Sequence, residues 1–299
     1  MLPFAPRPRL LTAVAAALLL AACGHGVLDP AGTVAAQERT ILFNSLAIML
    51  AIVVPTIIAT LVFAWWFRAS NDKAVYRPEF TYSGRIELVV WSIPLLTIMF
   101  LGGLTWVGSH QLDPAKPIAS RTPPLEVQVV SLDWKWLFIY PAQGIATVNR
   151  LVVPAGVPVH FSLTSASVMN TFFVPQLGSQ IYTMNAMRSQ LWLQADRPGV
   201  FYGQSGHFSG DGFPDMNFAV QAVPPALFNG WAAARRGAGP VLDARGYAAL
   251  AKQSQRVSAY SYRAVQPGLF DAIVMQKLPP APGPQVGRGG PHTSPGDAT

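Results

Sequence analysis

Between residues 41 and 67 no charged side chain interrupts the sequence, and a second uncharged run covers 88–108. At 27 and 21 residues, both runs are long enough to cross a hydrocarbon core about 30 Å thick. Trp65-Trp66-Phe67 closes the first, and Trp91 and Trp106 stand near the ends of the second, where interfacial aromatics belong. The pattern predicts two transmembrane helices, 41–67 and 88–108. Pro55 and Pro94 fall inside them and are tolerated there because neighbouring groups re-satisfy the freed carbonyls. Residues 109–124, with Pro114, Pro117, Pro123 and Pro124, form a linker no helix can cross. Beyond it the period changes. Short β-branched and aromatic runs, broken by Pro and Gly, predict strands at 125–132, 135–140, 146–153, 157–164, 171–174, 190–194, 200–203 and 217–223. That spacing fits a β-sandwich or barrel over 125–223. Trp134, Trp136, Phe138 and Tyr140 alternate with Lys135, Leu137 and Ile139, which assigns the aromatics to one strand face used for core or subunit packing.

The N-terminus reads differently. Arg7 and Arg9 precede an apolar run, Leu10 to Ala22, whose 13 residues are too few to span a bilayer, so residues 1–22 are an export signal. The run ends Leu20-Ala21-Ala22-Cys23-Gly24, which resembles the bacterial lipoprotein box, and Cys23 is the single cysteine of the 299-residue chain. Cys23 is therefore the lipidation candidate, and no internal disulfide exists. Residues 68–87 between the spans carry Arg68, Lys73, Arg77 and Arg85, whereas 23–40 holds only Arg39 and the stretch from Ser109 to Arg121 only Lys116 and Arg121. The positive-inside rule makes 68–87 cytoplasmic and everything after 108 periplasmic. An exported N-terminal segment, 23–40, agrees with that topology.

Composition supports a membrane protein, at 51% apolar and 12% charged residues. The net charge of +7 does not mark a nucleic-acid partner: Arg235-Arg236 is the one adjacent basic pair, and no basic stripe forms. Residues 224–276 turn helical, opening with Phe228 and Trp231 and closing with Tyr260, Tyr262, Leu269 and Phe270; this extension is expected to dock on other subunits. Residues 277–299 contain 11 Pro or Gly among 23 positions and are expected to be a disordered tail.

Candidate chemistry concentrates in Tyr202–Met216, a long polar interruption between strand-like runs, and at Glu87. The loop resembles that of subunit II of the haem-copper respiratory oxidases, which carries a dinuclear copper site as Cys-x-Glu-x-Cys-x-x-x-His-x-x-Met with one further His upstream. On that pattern Ser205 and Ser209 stand at the two cysteines, His207 at the Glu, Phe213 at the His, Asn170 at the upstream His, and only Met216 is kept. Soft copper centres need thiolate and imidazole together, so the resemblance points to the quinol-oxidising branch, which lacks the site. His160 and His207 with Met216 make no blue-copper set without a thiolate; His160 is read as a strand histidine and His207 as a solvated loop residue. Ser131–Tyr140 matches the family's aromatic segment, and Phe228-Asn229-Gly230-Trp231 through Phe270 its aromatic C-terminal extension. Glu87 opens the second span, where a carboxylate suits the positive end of a helix dipole. It also fits the family's Glu-x-x-x-Trp-x-x-Pro, which places such a carboxylate at the cytoplasmic mouth of a proton channel in the neighbouring catalytic subunit.

The resemblance implies a membrane-anchored α+β chain: a two-helix hairpin, then a periplasmic cupredoxin-like Greek-key sandwich, then a helical extension. It implies subunit II of a terminal quinol oxidase in the bacterial inner membrane, acting beside subunit I and other membrane subunits. Quinol would be oxidised, oxygen reduced to water and protons pumped by the complex, with haems and copper in subunit I and no cofactor or catalytic residue on this chain. The alternatives are cytochrome c oxidase subunit II, against which Asn170, Ser205, Ser209 and Phe213 argue, and a membrane-anchored cupredoxin-like assembly factor.

Overall fold

The computed structural model describes residues 26–75, 77–237 and 239–283. The chain divides into two compact units, one formed by Gln37–Asp113 and the other by the residues before and after it. Helix α1 (Thr33–Trp66), from Gln37 onward, and helix α2 (Gly84–Gln111) lie in the first unit and run unbroken through Pro55 and Pro94. Both are long and apolar enough to be candidate membrane spans. Each extends past the uncharged run that predicted it, because backbone hydrogen bonding continues through polar positions such as Glu38, Arg39 and Arg85 where the apolar pattern stops. Gly108 lets the two helices approach, since a Cβ there would lie 2.9 Å from Ile41 Cδ1.

The second unit is a β-sandwich with an added layer. Its strands are β1 (Leu125–Leu132), β2 (Lys135–Tyr140), β3 (Ile145–Val148), β4 (Arg150–Pro154), β5 (Val159–Ser165), β6 (Asn170–Phe173), β7 (Ile181–Thr183), β8 (Ser189–Leu193), β9 (Gly199–Ser205) and β10 (Asn217–Val223). A later strand, β12 (Tyr260–Tyr262), completes a six-stranded sheet ordered β12-β3-β2-β1-β5-β8, which faces a five-stranded sheet β4-β10-β9-β6-β7. Trp136, Phe138 and Tyr140 of β2 point between the sheets, where Trp136 and Phe138 meet Phe172 and Phe218 and Tyr140 meets Phe228 and Trp231. The single strand expected over 146–153 is two, one in each sheet. Asn149 makes the crossing at φ 52°, its Oδ1 accepting from Trp136 N (2.8 Å) and its Nδ2 donating to Val257 O (2.8 Å).

The N-terminal segment belongs to this unit. Ala31 N donates to Gln176 O (2.7 Å), and Asp196 N donates to Ala31 O (2.8 Å). Gly32 fits because a Cβ would fall 2.3 Å from Gln194 O.

The C-terminal extension differs from its expectation in two ways. It is not purely helical: α3 (Pro225–Arg236), β11 (Val241–Leu242), α4 (Ala244–Leu250), β12, β13 (Ala264–Val265) and α5 (Leu269–Val274) alternate. Most of its apolar groups are also covered within the chain, although Leu227, Val241 and Met275 stay exposed. Leu242, Tyr247, Leu250, Tyr262, Leu269, Phe270 and Ile273 pack on Val130, Leu132, Leu137 and Ile139, the outer face of the six-stranded sheet. Residues 277–283 also contradict the expected start of a disordered tail: Leu278 packs into this second core, and Ala281 N donates to Ala166 O (2.9 Å). Proline and glycine content there reflects an extended, docked strap rather than a lack of partners. The remaining tail positions lie outside the described residues.

Every residue of β2 is thus buried, including Lys135. Its Nζ donates to Lys252 O and Ser254 Oγ, both at 2.7 Å, tying the extension to the sheet. Burial pulls this ammonium down to about 8, against the opposing pull of Asp133, from the usual 10.5. The folded chain therefore binds the proton less tightly than the unfolded chain. Below pH 8 the full penalty is present; between about 8 and 10.5 only the unfolded state keeps the proton, so stability rises with pH. Denaturant unfolding of the sandwich, followed by tryptophan fluorescence, is expected to show this rise in the wild type and not in Lys135→Met. Between pH 8 and 10 the wild type should gain about 2 kcal/mol relative to Lys135→Met. Parallel pH profiles would remove the assignment.

Candidate functional site

The polar loop that follows β9 is organised by a residue from the opposite sheet. Asp133 and Trp134 form the two-residue turn between β1 and β2, and Trp134 adopts φ 64°, a conformation a bulky side chain rarely takes. Its indole offsets that strain from beneath the loop. Nε1 donates to Ser209 O (3.0 Å), and the ring lies so close under Gly212 that a Cβ there would fall 2.1 Å from it. Trp134 is therefore a loop-supporting turn residue and not, as its alternation predicted, a member of the strand face carrying Trp136, Phe138 and Tyr140. The turn's other residue, Asp133, is held by Ser167 Oγ on Oδ1 (2.5 Å), and burial raises its pKa against the lowering effects of Ser167 and Lys135.

Asn170, Ser205 and Met216 come together at the end of β9, with the His207 backbone, but not its ring, beside them. Ser205 Oγ donates to Asn170 Oδ1 (3.2 Å) and contacts His207 O (3.3 Å), while Thr171 N donates to it (3.4 Å). Asn170 is 1% exposed and turns its Nδ2 to Val168 O (3.2 Å). Ser205 N also donates to Met216 O (3.1 Å). Met216 itself is buried in the inter-sheet core. The other positions diverge. Phe213 lies in a 3-10 turn (Phe213–Asp215) and packs edge-on to the exposed Phe208 (5.6 Å). Ser209 is buried, with its hydroxyl unpartnered among the described residues. His207 is half-buried, its ring against Tyr182 (6.0 Å).

A copper centre does not fit this donor set. Around Ser205 the available groups are a hydroxyl, an amide already bonded on both ends, and backbone carbonyls, with neither thiolate nor imidazole directed at a common point. Among the described residues no cluster of three or more His, Cys, Asp or Glu gathers anywhere. His160 stands on β5, its Nδ1 2.7 Å from Glu126 Oε2 and its ring stacked on Trp192 at 4.5 Å. What the loop region provides is a hydrogen-bonded, largely uncharged brace.

Glu87 lies in the first turn of α2, where Trp91 Nε1 donates to its Oε2 (2.9 Å). The Glu-x-x-x-Trp spacing thus has a physical basis: residues four apart share a helix face, and the indole fixes one carboxylate oxygen. Cys23 lies outside the described residues. Sequence reasoning missed the roles of Trp134 and Lys135. One usable sign was a lysine inside an otherwise apolar, aromatic strand.

Residues 127–223 match the family described as "Cytochrome C oxidase subunit II, periplasmic domain", and 236–280 the one described as "COX Aromatic Rich Motif". The ubiquinol oxidase subunit 2 of Acetobacter aceti is 47% identical over 263 residues, covering 87% of this chain and 85% of that protein. The cytochrome bo(3) ubiquinol oxidase subunit 2 of Pseudomonas aeruginosa is 46% identical over 261 residues, covering 87% and 79%. Among solved structures, the periplasmic domain of subunit II of cytochrome oxidase from Bradyrhizobium japonicum aligns at 23% identity and TM-score 0.37, covering 39% of this chain and 96% of that one.

The donor set leads to a two-part expectation. The full-length protein, incubated with copper and desalted, retains none in stoichiometric amount by metal analysis; about two atoms per chain would contradict the reading. Asn170→His, Ser205→Cys, His207→Glu, Ser209→Cys and Phe213→His together are expected to create a coloured dinuclear centre. Failure of that variant to bind copper would show that the Trp134-supported backbone has left the copper-site geometry.

Proposed function

Because this chain belongs to the subunit 2 family of quinol oxidases, we propose that it acts as the non-catalytic second subunit of a terminal quinol oxidase in the bacterial inner membrane. The complex takes electrons from quinol and passes them to oxygen, and it moves protons across the membrane. The observation that carries the choice over a cytochrome c oxidase subunit is the donor set at Asn170, Ser205, Ser209 and Phe213. Those residues hold a loop but offer a copper pair nothing to bind. A chain of this kind has no electron to relay. Its contribution is a membrane anchor and a rigid periplasmic cap beside the catalytic subunit, which would carry the haems and copper.

Two residues receive finer roles. Cys23, following a 13-residue apolar run, is the lipidated first residue of the mature chain; an intact mass lacking acyl groups on Cys23 would remove this. Glu87 collects protons on the cytoplasmic side, an assignment supported by its place at the positively charged end of the hairpin and by the Trp91 bond that leaves one oxygen open. A purely electrostatic cap contributes only about 0.3 to 1 kcal/mol, so its loss leaves assembly and turnover nearly unchanged.

Purification in mild detergent is expected to bring haem with this chain, together with oxygen uptake on quinol; a colourless lone chain would sink the oxidase assignment. In the assembled complex Glu87→Gln slows turnover while Glu87→Asp keeps most of it. Normal turnover in Glu87→Gln would leave Glu87 as a helix cap only.

A further inference from the structure

The segment joining α1 to α2 folds back on the end of α1. Arg68 Nη1 donates to Trp65 O (2.8 Å) and Asn71 Nδ2 donates to Trp66 O, so side chains take the last helix carbonyls. The Arg68 guanidinium also lies over the Trp65 ring at 5.0 Å. Asn71 Oδ1 accepts from Lys73 N (3.3 Å) and turns the chain. This leaves a cavity of about 830 Å³ lined by Trp66, Phe67, Arg68, Lys73, Arg77 and Phe80, among others. Arg68 is engaged with the helix end. Among the described residues, the Lys73 ammonium and the Arg77 guanidinium form no ion pair, and neither Asp72 nor Glu79 lines the cavity.

Three cations without a lining carboxylate favour an anion. The apolar walls decide which kind. Phe67, Val75 and Phe80 are 58%, 68% and 61% exposed, an arrangement unfavourable in water and favourable against acyl chains and glycerol at a bilayer boundary. We propose that this cavity binds the phosphodiester headgroup of an anionic phospholipid. Lys73 and Arg77 hold the phosphate oxygens, and Phe67 and Phe80 lie along the glycerol and upper acyl region. A free phosphate ion would use the cations and leave the aromatic wall unexplained. The proposal rests on reading α1 and α2 as membrane spans.

Native mass spectrometry of the full-length chain in detergent, titrated with phosphatidylglycerol, phosphatidylcholine or inorganic phosphate, tests it. The wild type is expected to take up one phosphatidylglycerol in preference to phosphatidylcholine. Lys73→Gln/Arg77→Gln should weaken phosphatidylglycerol binding roughly 30-fold, from the contribution of two basic side chains at an anionic lipid surface. Exchanging the two cations (Lys73→Arg/Arg77→Lys) should restore it, which separates lost charge from lost folding. Arg121→Gln, outside the loop, should leave binding unchanged. Equal phosphatidylglycerol binding by the Gln double variant overturns the proposal. So does displacement of the lipid by inorganic phosphate at matching concentration. Loss of both lipids by the wild type would instead strike at the spans and take the proposal with them. Absence of phospholipid from the intact complex, with a neighbouring subunit crosslinked to Lys73, would also overturn it.

Discussion

Strand β2 is covered on both faces, and the periplasmic unit depends on that. Trp136, Phe138 and Tyr140 fill the space between the two sheets, while Leu137 and Ile139 meet the C-terminal layer on the other side. Each such side chain contributes about 1.5 to 3 kcal/mol when fully buried, and a strand wet on one face would forgo half of these contacts. Lys135 is the polar consequence. Placed at the start of a doubly covered strand, its ammonium makes its two short bonds, at 2.7 Å, to acceptors that the C-terminal layer brings, Lys252 O and Ser254 Oγ, with Asp133 O farther off at 3.4 Å. Removing either partner strands the other, which makes the C-terminal layer part of the domain.

The same strand start also governs the loop. Trp134 immediately precedes Lys135, and its indole is the floor on which Ser209 and Gly212 rest. A loop outlined like a metal site persists because its backbone is supported from below by an aromatic ring and from the side by the Asn170–Ser205 hydrogen bond. Neither support requires a metal.

The sequence made the two apolar helices and most strands legible, because those depend on run length and residue period. It hid features that depend on what lies across the fold. Alternation assigned Trp134 to a strand face, yet a positive φ in a two-residue turn redirects it under a loop some 75 positions later. Aromatic content in 224–276 suggests a docking surface, because the pattern cannot tell a partner subunit from the chain's own sheet. Short strands such as β11, β12 and β13 carry too few residues to show a period; β12 forms only where β3 leaves an open edge. Ala281 is held by burial in the second core and by its N–H on Ala166 O, neither of which composition reveals.

Hydrogen exchange on the full-length protein and on a chain ending at Gly237 tests the dependence on β2 most directly. In the full chain, the amides of Lys135–Tyr140 are expected to exchange only through global unfolding. In the shortened chain they should exchange faster, and the amides of 205–216 should lose protection with them, since Trp134 and Lys135 share one strand start. Unchanged protection of β2 and the loop in the shortened chain would contradict this account.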